Sequence, residues 1–444
     1  MTLRKKLFWI SVFYFAQGMP FGVVIDVLPV YFRQHGVSLT EIGMMGALTL
    51  PWTIKVLWSP LLDRFGERRT WVTVCCFAMA IAMFSVPLLD AAHPDLILWM
   101  LLLAFTLSSA TQDVAIDAFS VGLASKGEEG TINSVRAGVY RLGALASGGV
   151  TMYLVAPFGW TWVFLGLALA FVAMAIAGMA APAVQVVHQP AREWAQGFLA
   201  FLSRPGSIAV FVFVLIYKIG DVTMGPMVKP FWLDRGMSPA EIGTISTNVG
   251  MVLGVTGAIA GGLFTSRFGI FHGLWVLGVG QALSNLGYAA VAQFSLGRPY
   301  LYGASMLESF TAGLGTAAFL SFLMRICDKR QAATQYALLS ALYALPRSLL
   351  APLGGKVADL WGYPTFFFLT FLLALPAYAL LPWVYRWIGP NGRQRGTGAE
   401  ATGEGADVGA GGEGAGADAS AHAGPGGAHG QQAQGHRPAS AAAR

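Results

Sequence analysis

The sequence predicts an all-α integral membrane protein with twelve transmembrane helices arranged as two six-helix halves. Of its 444 residues, 55% are hydrophobic and only 11% are charged, whereas a soluble protein carries about 25% charged residues. The mean hydropathy is +0.59. Apolar stretches of about 20 residues recur along the chain, and an eight-residue pattern is repeated at an interval of 200 residues. A water-soluble protein is therefore excluded.

Each predicted helix corresponds to an apolar stretch that is long enough to cross the hydrocarbon core. The predicted spans are 8–32, 41–62, 70–89, 96–122, 132–155, 160–181, 206–232, 241–265, 271–293, 298–325, 333–357 and 363–388. The first span follows Arg4, Lys5 and Lys6 but is longer than the apolar core of about 7–15 residues in a signal peptide. We therefore expect it to be retained as the first transmembrane helix.

The loop charges predict the topology. Lysine and arginine residues concentrate in the loops on the side of the N-terminus, whereas the opposite loops hold only Arg33, Arg235 and Arg298. By the positive-inside rule, both termini are predicted to be cytoplasmic. The predicted organisation is a first half at 1–181, a cytoplasmic linker at 182–205, a second half at 206–388 and a tail at 389–444. In the tail, 31 of 56 residues are Gly or Ala, which predicts disorder.

An internal repeat supports the division into halves. Residues 36–43 read GVSLTEIG and residues 236–243 read GMSPAEIG, while Arg-Phe-Gly occurs at 64–66 and again at 267–269. Repeats that are displaced by half of the chain, with an even number of helices in each half, are parallel repeats. The sequence therefore predicts two halves related by an axis along the membrane normal.

The loop after the second span carries a carboxylate beside several arginines, reading DRFGERR from Asp63 to Arg69. Such a group can join two helix ends in one conformation and release them in another. We predict that Asp63, Arg64 and Arg68 form a conformational latch. If the loop only fixed the topology through the positive-inside rule, its arginines would be explained but Asp63 would not. The loop resembles the D-R-x-G-R-R loop of the major facilitator superfamily, with Glu67 in place of one arginine.

Ionisable residues at membrane depth are costly and are candidates for function. Asp113 and Asp117 lie four residues apart on one face of the fourth span. At about 1.5 Å per residue, Asp113 is expected level with Arg141 of the fifth span, and Asp117 level with Arg136. The repeat-equivalent positions of the tenth span are not acidic. This asymmetry favours a role of both acids in proton coupling.

Further charges lie within predicted spans of both halves. Arg347 aligns with Arg141 at an offset of 206 residues, and two such arginines can clamp an anionic substrate or pair with nearby acids for stability. Lys218 and Asp221 lie three residues apart, so they can neutralise each other. Glu308 has no opposite charge within its own turn and needs a distant partner or a proton.

Two other charged residues have alternative interpretations. Asp26 lies about six residues from the outer end of the first span and is either solvated at a cavity mouth or functional. Lys55 lies near the predicted cytoplasmic surface, where its side chain can extend to water. We therefore expect a structural role for Lys55.

Several segments together resemble one family across nearly all of residues 1–388. They read PWTIKVLWSPLLDR at 51–64, SATQDVAIDA at 109–118, YKIGD at 217–221 and ATQYALLSAL at 333–342. These segments resemble AmpG-type muropeptide permeases of the major facilitator superfamily. The resemblance implies proton-coupled import of anhydro-muropeptides across the inner (cytoplasmic) membrane, with Gln112 among the functional positions.

The residues and the resemblance together define a candidate site for an anionic solute and protons. The predicted substrate-binding residues are Gln112, Arg141, Lys218, Glu308 and Arg347, and the predicted proton-coupling residues are Asp113, Asp117 and Asp221. Because the QD…D segment also resembles siderophore importers and acetyl-CoA transporters, an importer of such an anion is the alternative. Neither an enzyme, a cofactor, a metal nor a nucleic-acid partner is expected, since all seven histidines lie in loops, helix ends or the tail.

Overall fold

The computed structural model describes residues 1–64, 66–125, 128–184, 206–327 and 332–388. Across these ranges the regular secondary structure is helical and contains no strand. Nine helices within them are long and apolar enough to cross a membrane. The predicted tail, and the predicted linker from residue 185 onwards, lie outside the described residues. The all-helical membrane fold is confirmed.

Two of the long helical stretches change direction at a glycine. Gly159, within Thr151–Ala180, and Gly362, within Ala332–Ala379, both have a φ of 76°, a conformation that only glycine adopts at low cost. Each stretch therefore comprises two helices. We number the helices α1 (Leu3–Gln34), α2 (39–64), α3 (Arg68–Leu88), α4 (Leu96–Leu123), α5 (129–158), α6 (160–180), α7 (Ser207–Asp234), α8 (Pro239–Phe268), α9 (Ile270–Gln293), α10 (Arg298–Ile326), α11 (332–361) and α12 (363–388).

The helices α1 to α12 match the predicted spans in order, although α2 is irregular. It consists of short α and 3₁₀ elements, with Pro51 opening one of the α elements. A proline inside a helix removes a backbone hydrogen bond, which favours this break. Twelve membrane crossings and the cytoplasmic position of both termini stay predictions.

The repeat is visible in the backbone as well as in the sequence. Ser38 with Glu41, and Ser238 with Glu241, form equivalent capping boxes at the starts of α2 and α8. Glycines with positive φ also recur at matching places in the two halves. These pairs are Gly36 with Gly236, Gly66 with Gly269, and Gly159 with Gly362. The parallel repeat predicted from the sequence is therefore present in the fold.

Small residues bring the two halves into close contact. Gly43 of α2 packs on Ala351 and Gly355 of α11, and Gly243 of α8 packs on Met152 of α5. An added methyl group at Gly43 or Gly243 would lie within 3.0 Å of atoms in the other half. Glycine at these places therefore permits the helix contacts that join the halves.

Candidate functional site

Asp113 of α4 forms an ion pair with Lys55 of α2, with Nζ and Oδ2 3.1 Å apart. The indoles of Trp52 and Trp58, one turn before and after Lys55, donate hydrogen bonds to α4 hydroxyls at 3.0 and 3.2 Å. These contacts align α2 with α4 and direct Lys55 to Asp113. Asp113 therefore pairs with Lys55 and not with Arg141, although Arg141 was expected at the same depth. The expectation that Lys55 extends to the surface is wrong.

Asp117 pairs with Arg136, as the depth estimate predicted. The Arg136 Nη2 lies 2.8 Å from the Asp117 Oδ1. The Tyr14 hydroxyl of α1 donates to the same oxygen at 2.6 Å, and the Arg136 guanidinium lies 4.7 Å from the centre of the Tyr14 ring. Asp117 therefore joins α1, α4 and α5 while 41% of its side chain stays exposed.

Gln112 is completely buried between α3 and α4. Its side-chain Nε2 donates to the Cys76 sulfur at 3.1 Å, and its Oε1 has no hydrogen-bond partner within the described residues. This geometry places the amide in helix packing against α3. Its predicted role in substrate binding stays a prediction.

Arg141 of α5 and Arg347 of α11 carry no ion pair within the described part of the chain. Arg141 is exposed and Arg347 is half-buried. The backbone carbonyl of Arg347 lies on the face of α11 that packs on Gly46 of α2. Neither arginine has a counter-ion among the described residues.

Lys218 is the centre of a buried polar cluster in the second half. The α-helical backbone of α7 is interrupted at Tyr217 and Lys218, and the Lys218 side chain is only 2% exposed. Its ammonium lies 3.3 Å from Asp221 Oδ2 and donates to Gln281 Oε1 at 2.5 Å. The local pair predicted from the three-residue spacing is confirmed, whereas Gln281 of α9 was not predicted.

Glu308 of α10 faces the same cluster. Its carboxyl lies against the carboxyl of Asp221 and within reach of the charges of Lys218 and Lys229. The sequence predicted that Glu308 needs a distant partner or a proton; Lys218 and Lys229 form their ion pairs with Asp221 and Asp26 instead. Together with Asp26, which pairs with Lys229, the region holds three acids and two lysines. One carboxyl group is therefore in excess.

The predicted latch is described only in part, because the side chains of Asp63 and Arg64 lie outside the described residues. Arg68 is buried, and its guanidinium donates to the backbone carbonyl of Leu62. This hydrogen bond stabilises the end of α2 within the first half. A latch that responds to the conformation of the protein stays a prediction.

Most of the contacts between the halves were not predicted from the sequence. Arg33 at the end of α1 donates to both carboxylate oxygens of Asp234 at 2.7 and 2.6 Å, and Tyr363 donates to Asp234 at 2.7 Å. Asp359 of α11 accepts the backbone N–H of Thr40 at 2.6 Å. These contacts close the end of the molecule that the predicted topology places outside.

Asp26 and Lys229 form a further ion pair between the halves. Each side chain is only 12% exposed, so of the two interpretations of Asp26 the structure does not support solvation at a cavity mouth. The spacing of the internal repeat could have predicted this ion pair. Lys229 follows Asp26 by 203 residues, the same interval that separates the two Arg-Phe-Gly segments.

Comparison with known proteins gives matches along most of the chain. The model of the Major Facilitator Superfamily matches residues 10–332. The anhydromuropeptide permease of Escherichia coli K12 is 29% identical over 383 residues, covering 83% of this chain and 77% of that protein. The protein named AmpG 4 of Rickettsia conorii is 27% identical over 398 residues, covering 85% and 95%. A Haemophilus influenzae protein is 30% identical over 392 residues, covering 83% and 92%.

Solved structures with a similar fold also cover most of the chain. A bacterial homologue of the human lysosomal transporter Spinster, in an inward-facing and unoccupied conformation, superposes with a TM-score of 0.73. It has 13% identity and covers 87% of this chain and 98% of its own. The nucleoside transporter NupG superposes with a TM-score of 0.65 and 13% identity, covering 85% and 99%. These matches agree on the helical fold.

Proposed function

The chain belongs to the Major Facilitator Superfamily and to its AmpG-type permeases, and we propose that it imports anhydromuropeptides together with protons. As a member of this family it is a multi-pass transporter of the inner membrane. Substrate identity, direction and coupling ion are the parts that we propose.

The observation that carries the proposal is the pair of arginines without a protein counter-ion. Arg141 and Arg347 come from opposite halves and have no ion-pair partner within the described residues. A guanidinium binds a carboxylate through two parallel hydrogen bonds. The lactyl and peptide carboxylates of a muropeptide are suitable partners. A substrate held by both arginines would connect the two halves.

Aromatic side chains on α1, α2 and α5 suit the sugar part of such a solute. Phe21 lies 6.0 Å from Trp52 and 6.2 Å from Tyr140, measured between ring centroids, and all three rings are half-buried. Ligand sites combine aromatic walls with a few charged groups. An amphipathic sugar–peptide anion fits this combination.

The excess carboxyl group supports coupling to protons. Asp26, Asp221 and Glu308 are close to only two lysines, Lys218 and Lys229. A buried charge without a partner is costly. Binding one proton would neutralise the excess charge, and its release would accompany each transport cycle.

Uptake by right-side-out membrane vesicles tests the proposal. Labelled anhydromuropeptide should accumulate in the presence of a proton gradient, and a protonophore should abolish this accumulation. Arg141→Gln and Arg347→Gln should each raise the half-saturation concentration by about 10–100-fold, since a charged hydrogen bond contributes about 1.5–3 kcal/mol. Arg267→Gln, at the end of α8, is the matched control and should resemble wild type.

Two results would contradict the proposal in different ways. Accumulation that survives the protonophore but needs sodium would show that protons are not the coupling ion. Competition by coenzyme A thioesters or siderophores, without competition by anhydromuropeptides, would show that the substrate is a different anion.

A further inference from the structure

Three π-helical turns meet at one place on the boundary between the halves. A π turn carries an extra residue within a helix and is frequent at functional sites. The three turns are Val23–Val27 of α1, Ala146–Val150 of α5 and Ile242–Val249 of α8. The carboxylate of Asp26, which the first turn carries, lies at their meeting point.

Four helices enclose this carboxylate. Lys229 of α7 forms an ion pair with it, and Thr247 of α8 donates to the Oδ1 at 3.4 Å. Gly148 of α5 leaves the space that the carboxylate occupies, because a methyl group there would overlap it. Among the residues of α5, α7 and α8 that contact Asp26, Lys229 is the charged one, because Gly148 and Thr247 carry no ionisable group. The ion pair therefore connects α1 and α5 of the first half with α7 and α8 of the second.

The pair cannot persist if the halves separate at their outer end. Asp26 would stay with α1 and α5, and Lys229 would move with α7. Asp26 contacts no cation of the first half in the part described. A carboxylate that is left without its partner in such a site is strongly disfavoured.

We propose that Lys229 is a positioning residue for proton coupling, which pairs with Asp26 when the outer end is closed and leaves it when the outer end opens. Asp26 takes up a proton from the outer solution as Lys229 leaves, and it releases that proton as Lys229 returns. The ion pair between the halves is thus exchanged for a proton once in each cycle. This inference rests on the proposed function, because it assumes that protons drive transport.

The first experiment compares accumulation with exchange in vesicles. Exchange of labelled for unlabelled anhydromuropeptide needs no net movement of protons. Accumulation and exchange both scale with the amount of protein, so their ratio does not depend on protein abundance. Asp26→Asn and Lys229→Gln should each lower this ratio to the value measured with a protonophore. Asp90→Asn, in an exposed outer loop, is the matched control and should keep the wild-type ratio.

The second experiment reports the conformation. Met152 is completely buried against Gly243 of α8, so Met152→Cys reacts with an external membrane-impermeant maleimide only when the halves separate. Lys229→Gln should raise the labelling rate, because the unpaired Asp26 carboxylate disfavours the closed state and takes up its proton in the open one. Adding Asp26→Asn should return labelling towards that of Met152→Cys alone, without restoring accumulation. The parent chain with its native cysteines provides the blank.

The outcomes separate this inference from the proposed function. If the double variant recovers both accumulation and exchange, the pair only stabilises the fold and the inference is wrong. A wild-type ratio in Asp26→Asn would also overturn it. If wild-type protein accumulates substrate without a proton gradient, the proposed function fails. The labelling experiment would then still show whether Lys229 holds the outer end closed.

Discussion

Removal of the lysine that neutralises Asp113 should destabilise the protein more than removal of Asp113 itself. Lys55→Gln leaves a carboxylate whose side chain is 11% exposed without a cation, whereas Asp113→Asn leaves a lysine that is 29% exposed. The lysine can turn towards water because its stem is long and flexible. The carboxylate is carried on a short side chain within α4 and has no such freedom.

The expected magnitudes follow from this difference in exposure. Breaking a buried pair costs about 3–5 kcal/mol, and the partial exposure of Lys55 favours the lower end, about 3 kcal/mol. Asp113→Asn should cost about 1 kcal/mol, as for the loss of one ordinary hydrogen bond. The combination of Lys55→Gln with Asp113→Asn should cost only about 1 kcal/mol, which corresponds to a coupling energy of about 3 kcal/mol between the two side chains.

The free energy of unfolding can be measured for purified protein in mixed dodecylmaltoside and SDS micelles, together with its abundance in membranes. Lys356→Gln, which changes an exposed lysine of α11, is the matched control and should unfold like wild type. Uptake assays on the same variants test coupling. Asp113→Asn should abolish uphill transport if Asp113 also carries a proton.

Two results would refute this reasoning. If Arg141→Gln restores the stability of Asp113→Asn while Lys55→Gln does not, Asp113 pairs with Arg141 in the membrane. If Lys55→Gln unfolds as readily as the Lys356→Gln control, the ion pair contributes nothing measurable. A double variant that folds and accumulates substrate like wild type would exclude Asp113 from coupling.

Three further predictions test the outer contacts, the inner face and the helix packing. Arg33→Gln removes the partly exposed outer ion pair and should destabilise the closed outer end by about 0.5–1 kcal/mol. An outer cysteine should then be labelled roughly two- to fivefold faster. Unchanged labelling would show that the pair does not hold this end closed. The ammonium of Lys6 lies 2.7 Å from the Glu128 carboxylate and holds the pKa of this carboxyl below its usual value. The stabilisation of the folded protein by this ion pair is therefore present above about pH 4.3. It is lost as the pH falls through the lower pKa of the folded state. Thermal unfolding between pH 3 and 6 should show this loss in wild type and not in Lys6→Gln, and identical profiles would contradict it. Gly143→Ala places a methyl group against a backbone carbonyl of α1 and should cost about 1–3 kcal/mol, seen as lower membrane abundance. In the control, Gly138→Ala, the methyl group meets open space and should leave abundance unchanged. Equal abundance of the two variants would contradict the prediction.

Composition and periodicity determine the class of this protein. An excess of apolar residues leaves too few charged groups for a water-soluble surface, and the recurrence of residues 36–43 at 236–243 indicates two related halves. The backbone bears this out in the paired capping boxes at Ser38 and Ser238. These properties are local or repeated along the chain, so they can be predicted without knowledge of the packing.

Pairs of charges were predicted where the chain itself sets their relation. Lys218 and Asp221 are on one helix, three residues apart. Asp117 and Arg136 are on consecutive helices joined by a short loop, so counting residues from that loop gives equal depth for both. Local geometry fixes the distance in each case.

The partners that only the tertiary structure decided come from helices that are remote in sequence. Lys55 reaches Asp113 because α2 packs along α4, and Asp26 meets Lys229 because α1 lies against α7. Counting residues gives the depth of a side chain in the membrane, but it does not give the direction in which the side chain points around the helix axis. That direction is chosen by close packing between helices, and so the partners of the buried charges depend on the fold.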